Sequence, residues 1–587
     1  MSSELAILFS LFLAVFILLL WGRLRYDLVA FGALMIAVLT GTVATDAAFS
    51  GFGHPATIIV ALVLIISAGL TRSGAVFLIT RTLIDTGRAV SAHIAIMGTV
   101  GAVLSAFMNN VAALALLMPV DLQTARKAGR AAGATLMPLS FATILGGMVT
   151  LIGTPPNIII ASIRQEHLST PYRMFDFAPV GLCVAAAGLA YVALIGWRLI
   201  PGTNAGQTPR EPFRDVADYV SEMTVGEGSD LIGKRLTDLR DAAETADVVV
   251  LGLVRQGRWL RGDRARAEIE AGDGLVVEGL PAGLDEFRVD QKLELTENGA
   301  DSADMDLIEV VVPEDARVVG RSATGIGMSW SRRTILLGIS RRGQRITKQV
   351  RRTEILAGDQ LLLLVPRDQR EAVVTWLGAL PLADRGLSVI QDHKTWLAIG
   401  TFAAAVAAAS FGLVYLPVAL GCVCVLYVLA RIVPVTEVYD QIEWPVVILL
   451  GSMIPLGQAL DEAGGTALIA QSLLSITDGL PAWAVLGLLM VVTMTLSDVL
   501  NNTATTIVAA PVAISMADGL GVSADPFLMA VAVAASCAFL TPIGHKNNTL
   551  VLGPGGYRFG DYWQMGLPLE VIVLLVSIPS ILVFWPL

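Results

Sequence analysis

Two long apolar blocks flank a charged central block, and this arrangement limits what the chain can fold into. The 587 residues include 40 Lys and Arg, of which 11 lie in residues 1–199, five in 385–587 and 24 in 200–384. Only 15% of the residues are charged and the mean hydropathy is +0.69, whereas an average soluble protein is about 25% charged. We therefore expect two membrane halves, 1–199 and 390–587, around a soluble insert.

Other properties of the sequence narrow the class of protein. Apolar stretches of about 20 residues, the length of a membrane-spanning helix, recur in both halves, so the lipid bilayer is the expected surroundings. No Lys or Arg occurs in Met1–Ser10, unlike a secretory signal, so we expect 5–21 to remain as the first span. The net charge of −10 argues against a nucleic-acid partner. No nucleophile–base pair stands out, which argues against an enzyme.

The two halves match each other at a shift of about 390 residues. Ser105 and Asn109-Asn110 correspond to Ser497 and Asn501-Asn502, and residues 150–157 correspond to 541–548. Agreement at one spacing over separate landmarks predicts an internal duplication.

The positive charges predict how the halves cross the membrane. We assume five crossings and one re-entrant hairpin in each half, with the N-terminus outside. Thirteen of fifteen Lys and Arg in the membrane halves then fall inside, as the positive-inside rule requires. Because five is odd, the second half enters from the opposite side, which predicts an inverted repeat. The insert is then cytoplasmic, the chain is a multi-pass inner (cell) membrane protein, and Asp121 lies at the membrane interface.

Each half carries a pair of Asn residues within an apolar stretch, Asn109-Asn110 and Asn501-Asn502. Amides in hydrocarbon are costly unless they are satisfied. We interpret each pair as the tip of a hairpin. There a helix N-terminus offers N–H groups to an anion, and exposed oxygens hold a small cation. The alternative is that these amides bridge neighbouring helices.

A second repeated motif combines Gly with residues that break a helix. Gly153-Thr-Pro-Pro-Asn157 corresponds to Gly544-His-Lys-Asn-Asn548. Non-helical backbone in a membrane is tolerated where it lines a cavity or is buried in protein, so we expect a binding site here; a plain kink is the alternative. Lys546 suits an anionic substrate, although a lysine that snorkels to the interface fits equally well.

One acid, Asp498, lies deep in the second hairpin, four residues before Asn502. An acid inside a membrane is a functional candidate. We expect it to bind a coupling proton or cation, or to pair with Lys546 or His545. A purely structural ion pair is the alternative.

These motifs resemble the divalent-anion:sodium symporter family of the wider ion-transporter superfamily. Asn109-Asn110-Val111 and Asn501-Asn502-Thr503 resemble the paired Ser-Asn-Thr hairpin tips of that family, and 153–157 resembles its broken helix. The resemblance covers both membrane halves. It implies a homodimer in which a transport domain that bears the hairpins moves as an elevator against a scaffold.

The resemblance also implies a role for each motif residue. The anion would contact Asn110, Asn502 and Thr503. Around it we expect Asn109, Val111, Asn501, Thr154, Pro155, His545 and Lys546. Sodium would be the coupling ion, and one sodium site would consist of Ser105, Asn109, Asn110 and Gly153. The second sodium site would consist of Ser497, Asn501, Asn502 and Gly544.

The sequence departs from the family pattern at the anion site, where Asn replaces Ser at both tips, Val111 replaces Thr, and His545-Lys546 replaces Thr-Pro. These changes favour a compact oxyanion, and the motifs together resemble most the sulfate-type members that carry a soluble insert. We predict sodium-coupled symport of sulfate. A dicarboxylate symporter or an arsenite-type oxyanion permease of the same fold is the alternative. A ligand-gated ion channel or cation/proton antiporter is a different class, and the sequence lacks the Thr-Val-Gly-Tyr-Gly filter of such a channel.

The insert repeats internally at a spacing of 86–87 residues, since Gly272-Asp273 corresponds to Gly358-Asp359. Strands are predicted over 248–254, 274–277, 334–339 and 360–365. Each unit, 210–295 and 304–384, resembles the C-terminal ligand-binding (RCK C-terminal) domain of potassium-conductance regulators. This resemblance implies a regulatory or dimerising role and a nucleotide or other small anionic ligand. A packing module without a ligand is the alternative.

Overall fold

The fold is given by a computed structural model of the whole chain. It describes residues 3–21, 24–74, 87–201, 220–239, 242–243, 248–255, 258–259, 268–279, 281–295, 305–314, 316–328, 334–341, 344–346, 350–366, 369–382, 392–476, 479–500 and 502–587. The chain divides into two compact units, one made of Met1–Thr208 with Asp384–Leu587 and the other of Pro209–Ala383.

The first unit is helical in both of its segments. Its first segment contains α1 (Ser3–Trp21), α2 (Tyr26–Leu39), α3 (Pro55–Arg72), α4 (Val90–Phe107), α5 (Asn110–Lys127), α6 (Leu136–Gly147), α7 (Pro155–Leu168) and α8 (Ala178–Leu194). Its second segment contains α9 (Asp392–Ser410), α10 (Leu416–Leu429), α11 (Trp444–Glu462), α12 (Gly465–Ile476), α13 (Ala482–Val499), α14 (Asn502–Leu520), α15 (Ala524–Ser536), α16 (Lys546–Leu552) and α17 (Tyr562–Phe584).

Six helices among the described residues are long and apolar enough to cross a membrane. They are Ser50–Arg72, Val90–Phe107, Trp444–Glu462, Ala482–Val499, Asn502–Leu520 and Phe559–Phe584. Several shorter apolar helices accompany them, including α2, α6 and α8. This is the composition of a polytopic helical membrane protein.

The helix bounds of the second segment follow those of the first at a shift of about 390 residues, as α2 with α10 and α3 with α11 illustrate. The helix ends agree as well. Gly74 and Gly464, which follow α3 and α11, both have a positive φ. Gly41 after α2 has φ 77°, and Arg431 adopts the same left-handed conformation after α10 with φ 53°. Left-handed residues commonly terminate helices because they redirect the chain after the last turn.

Two hairpins occur in the helical unit, one in each segment. In each, an 18-residue helix ends in extended backbone, at Met108 or Leu500, and the next helix begins at Asn110 or Asn502. Helix α6 packs closely on α4, because a Cβ on Gly146 would lie 2.2 Å from the Ala102 carbonyl oxygen. The small glycine surface therefore sets the distance between these helices.

A buried polar cluster joins the two ends of the first hairpin that lie away from its tip. Asp121, which the sequence predicts at the membrane interface, is fully buried within the protein. One carboxylate oxygen lies 2.6 Å from His93 Nε2 of α4, and the other accepts a 2.5 Å hydrogen bond from Thr135. The acid thus ties α4, α5 and the start of α6 together.

The second unit contains two five-stranded antiparallel sheets. The first has the order β3-β2-β4-β1-β5 and consists of β1 (Val220–Val225), β2 (Val248–Arg255), β3 (Arg258–Trp259), β4 (Gly274–Gly279) and β5 (Leu293–Leu295). The second has the order β12-β6-β11-β8-β9 and consists of β6 (Met305–Val311), β8 (Ile335–Arg341), β9 (Gln344–Ile346), β11 (Gln360–Pro366) and β12 (Leu380–Pro381). A two-stranded ladder pairs β7 (Arg321–Ser322) with β10 (Glu354–Ile355), and helices span Pro281–Asp290 and Arg370–Leu377.

The same ion pair, between a buried Asp and a partly exposed Arg, occurs in both sheets. Arg255 Nε lies 2.7 Å from Asp273, and Arg341 Nε lies 2.9 Å from Asp359. Hydrogen bonds donated to the Asp359 carboxylate raise the pKa of the Arg341 guanidinium above its ordinary value. Each acid follows a glycine with a positive φ, Gly272 or Gly358, at the turn into the next strand. The predicted strands are therefore present, and the Gly-Asp motif has a structural function in each sheet.

Candidate functional site

The two hairpin tips and the two broken helices meet at one cavity of about 100 Å³ in the helical unit. Most of the predicted site residues line it: Asn109, Asn110, Val111, Gly153, Thr154, Pro155, Asn502, Thr503, Gly544, His545 and Lys546. The remaining wall comes from α3, Ile152, Ile158, Glu443 and Val446. Residues that are far apart in the sequence are thus collected around one small space.

Four helices begin at this cavity, three of them 14 residues long or longer and the fourth the seven-residue α16, which begins at Lys546. The first residues of the three long helices are Asn110 of α5, Pro155 of α7 and Asn502 of α14, and each residue lines the cavity wall. The start of a helix carries a partial positive charge, which stabilises a nearby anion. The partial positive charges at the starts of these helices therefore favour negative charge in the cavity.

The first tip is held by a short hydrogen bond within the hairpin. Ser105 Oγ donates to Asn110 Oδ1 at 2.6 Å, and both residues are buried. The preceding Asn109 accepts a 2.9 Å hydrogen bond from the backbone N–H of Val111. The Asn109 amide nitrogen lies 3.4 Å from the Glu443 carboxylate. The side-chain oxygens of Asn109 and Asn110 are therefore hydrogen-bonded within the hairpin, and the Asn109 amide nitrogen also reaches the N-cap residue of α11.

The second tip repeats the same contact. Ser497 Oγ lies 2.9 Å from Asn502 Oδ1, and Thr503 beside it is buried. Asn501 lies outside the described residues. Both Ser–Asn contacts join positions five residues apart across the extended tip, so they depend on the break between the two helices.

The broken helices are fixed to the hairpins in the same manner in both segments. Thr150 donates to the Ala106 carbonyl, and Thr541 donates to the Asp498 carbonyl at 2.7 Å. The Asn157 amide then donates to the Thr150 carbonyl at 2.8 Å, and Asn548 does so to Thr541 at 3.1 Å. These contacts satisfy carbonyl groups that the helix breaks leave without helical partners.

The two segments contact each other directly at Asn110. Its amide nitrogen lies 3.3 Å from His545 Nε2, and its carbonyl accepts a 3.1 Å hydrogen bond from Asn547. Asn547 also donates to Thr143 Oγ1 at 2.8 Å. A shift of one segment relative to the other would therefore disturb the first tip.

Lys546 and Glu443 form an ion pair at the cavity wall. Lys546 Nζ lies 2.5 Å from Glu443 Oε2, and the side chains are 19% and 22% exposed. The sequence analysis missed Glu443. The only available signal was an acid at the start of the apolar stretch that forms α11, because the partners lie 103 residues apart.

Asp498 meets a second acid that the sequence analysis also missed. It is 3% exposed, its Oδ1 accepts a 2.9 Å hydrogen bond from the Leu540 N–H, and its carboxyl group faces that of Glu570 on α17. Glu570 is 7% exposed, and one oxygen of each acid lacks a hydrogen-bond partner among the described residues. The expected partners of Asp498 were Lys546 and His545, whereas the contacts found here are with Leu540 and Glu570.

A second cavity of about 290 Å³ lies between α3, α7, α11 and α14. Its wall carries the acids Glu166, Asp461 and Asp518, and His54 Nε2 lies 2.8 Å from Glu166. Carboxylates repel anions, so this larger cavity suits an anion less than the smaller one.

The apolar helices, and the cavity that hairpin tips and broken helices line, are the architecture of a polytopic membrane transporter. The model of the family described as "Citrate transporter" matches residues 16–534 and 479–587. The chain therefore belongs to the citrate transporter family, whose members are transporters rather than enzymes.

Individual relatives agree with this assignment. The chain is 31% identical to the uncharacterized transporter YfbS of Escherichia coli over 100% of both chains. It is 28% identical to the probable sodium/sulfate cotransporter 3 of Chlamydomonas reinhardtii, over 55% of this chain and 38% of that protein. A sodium-dependent high-affinity dicarboxylate transporter of Caenorhabditis elegans is 33% identical over 23% of this chain and 24% of its own length.

A solved structure, that of the YdaH transporter of Alcanivorax borkumensis, is 16% identical with a TM-score of 0.40, over 94% of this chain and 89% of that one.

Proposed function

We propose that the protein is a secondary active transporter that couples the uptake of a divalent anion, sulfate, to sodium. The observation that carries this proposal is the cavity at which three long helices begin and which Lys546 lines. Helix N-termini and an ammonium group are the features that bind oxyanions in proteins. The name of the sodium/sulfate relative supports the same cargo.

In this proposal the anion binds between the tips of the two hairpins. Asn110, Asn502 and Thr503 contact it, and the other lining residues surround it: Asn109, Asn501, Val111, Thr154, Pro155, His545 and Lys546. The cavity of about 100 Å³ is small beside the roughly 300–1,000 Å³ of pockets for drug-sized ligands, which favours a compact oxyanion.

Sodium is the co-substrate and binds beside each tip. The first site comprises Ser105, Asn109, Asn110 and Gly153, and the second comprises Ser497, Asn501, Asn502 and Gly544. Hard cations prefer oxygen ligands, and the paired Ser and Asn oxygens together with the carbonyls of the helix breaks supply them. The equivalent Ser–Asn contacts at both tips support two sites of the same kind.

A dicarboxylate is the second candidate cargo. It is favoured by the relative named as a dicarboxylate transporter, and the family description names citrate, a related tricarboxylate. An arsenite-type oxyanion is the third candidate cargo.

The proposed architecture follows the recurrence of the helix bounds. Residues 1–199 and 390–587 form an inverted repeat, and the hairpins move as an elevator against a dimeric scaffold. Residues 210–295 and 304–384 form two RCK C-terminal-like domains in the cytoplasm, which dimerise or bind a nucleotide or other small anion. The ion pair repeated in both sheets supports two related domains.

Uptake of labelled sulfate into proteoliposomes tests this function. We expect an inward sodium gradient to stimulate uptake, and Asn110→Ala/Asn502→Ala to abolish the stimulation because both tips lose their amide. Gln123→Ala is the matched control, since it removes an exposed amide from the same helix, α5. Succinate uptake without sulfate uptake would replace the cargo by a dicarboxylate. Uptake that follows a pH gradient and ignores sodium would contradict sodium coupling.

A further inference from the structure

The carboxylate of Glu443 lies where a transported anion would find its cationic partner. Its Oε2 is 2.5 Å from Lys546 Nζ, and its Oε1 is 3.4 Å from the Asn109 amide nitrogen. All three residues line the cavity of about 100 Å³. The chain thus places an anionic group of its own on the same ammonium and amide donors that would hold an oxyanion.

The position of Glu443 in its helix has no other evident purpose. It is the N-cap residue of α11, where a side-chain oxygen commonly accepts a hydrogen bond from the first turn. Glu443 makes no such bond, and its carboxylate contacts Lys546 and Asn109 instead. Helix α11 packs on α2, on the turn Ser50–Phe52 and on α14 of the second hairpin, whereas Asn109 and Lys546 belong to the first hairpin tip and the second broken helix. The contact therefore joins the start of α11 to both of these elements.

We propose that Glu443 is a tethered competitor of the transported anion, which must displace the Glu443 carboxylate from Lys546 in order to bind. This inference rests on the proposed anion transport and assigns a role in anion affinity to a residue outside the predicted site. Because the Glu443 carboxylate must leave before any anion reaches Lys546, it lowers the apparent affinity for every such anion by the same factor. A doubly charged oxyanion, whose intrinsic attraction to Lys546 is stronger, then still binds at low concentration, whereas a more weakly attracted anion does not.

Binding of sodium sulfate to the purified full-length chain, measured by isothermal titration calorimetry, tests the role of Glu443. Glu443→Gln removes the competing charge, and we expect sulfate to bind about tenfold more tightly, as loss of one charge-assisted competing contact predicts. Glu443→Asp keeps the charge but shortens its reach, so it should also tighten binding. Asp440→Asn is the matched control, because it neutralises an exposed acid three residues away and should leave the affinity unchanged.

The outcomes separate this inference from the proposed function. If the unaltered chain binds sulfate and neither Glu443 variant binds it more tightly, the competitor role is wrong while anion transport stands. A weaker affinity in both variants would likewise overturn it, since Glu443 would then support the site. If the unaltered chain and both variants bind neither sulfate nor succinate, the proposed function fails and the inference fails with it.

Sodium nitrate tests whether the effect comes from displacement of the carboxylate. Its affinity should rise in Glu443→Gln by the same factor as that of sulfate, so that the ratio of the two affinities stays unchanged. A rise for sulfate alone would contradict a competitor that every anion must displace from Lys546.

Discussion

At the scale of single residues, the site is assembled from short polar contacts between backbone and side chains. Ser105 meets Asn110 and Ser497 meets Asn502, and each broken helix places one Thr and one Asn on neighbouring carbonyls. The motifs made these residue types predictable. They did not reveal Glu443 or Glu570, because isolated acids in apolar stretches carry no information about the distant residues that they contact.

A glycine in the first broken helix provides a prediction at this scale. A Cβ on Gly153 would lie 2.4 Å from the Gly147 carbonyl oxygen, and neither backbone can move away easily. We expect Gly153→Ala to cost about 1–3 kcal/mol of stability, the usual range for overpacking, and to abolish sodium-driven uptake because the cavity wall shifts. Thermal unfolding and proteoliposome uptake measure the two effects.

Gly421→Ala is the control for this substitution, since a Cβ there meets no atom within 4 Å. It should leave uptake unchanged and slightly raise helix stability. Full uptake by Gly153→Ala would contradict the close approach at the broken helix.

At the scale of elements, the hairpins illustrate both the reach and the limit of sequence patterns. Paired Asn residues in apolar stretches predicted two helix breaks, and α4–α5 and α13–α14 are interrupted at these places. The sequence did not predict that α6 would lie against α4 through Gly146, because close packing depends on shape complementarity between distant segments. Nor did it predict a left-handed Arg431, because that conformation is set by the chain reversal after α10.

The polar cluster at the base of the first hairpin provides a prediction for an element. Asp121 holds His93 and Thr135 in a fully buried setting. Removing one partner of a buried pair leaves the other unsatisfied, so we expect Asp121→Ala to destabilise the helical unit by about 3–5 kcal/mol. Thermal unfolding followed by circular dichroism would measure the loss.

The exposed Gln123 on the same helix serves again as the control, and Gln123→Ala should unfold at the unaltered temperature. Equal stability of the Asp121→Ala and Gln123→Ala variants would show that the cluster does not hold α4, α5 and α6 together.

At the scale of the whole molecule, the concentration of charge in 200–384 corresponds to a separate compact unit, Pro209–Ala383. The sheets within it have their own buried cores, for example Leu275 and Val277 in the first and Leu361 and Leu363 in the second. The predicted boundaries within and around the insert fall largely outside the described residues and stay predictions.

The proposed orientation provides the prediction for the molecule. In a chain whose four cysteines are replaced by Ser, we introduce Ser169→Cys after α7 or Asp230→Cys in the insert, both at exposed positions. A membrane-impermeant maleimide should label Ser169→Cys in intact cells and should label Asp230→Cys only after permeabilisation, because the positive-inside rule places the insert in the cytoplasm.

Sulfate uptake by each single-cysteine variant, measured before the maleimide is added, checks that the chain without its native cysteines is folded. Labelling of Asp230→Cys in intact cells would place the insert outside and reverse the proposed topology.

The sequence by itself determined which residues are polar within the apolar halves, where helices break and where charge is concentrated, since hydrophobicity and backbone conformation are local properties. Only the tertiary structure decided which of these residues meet. Two tips about 390 residues apart came to line one cavity together with His545 and Lys546, and Glu443 became the partner of Lys546. Such contacts arise because buried amides and charges must find partners wherever the packing of distant helices brings them within reach.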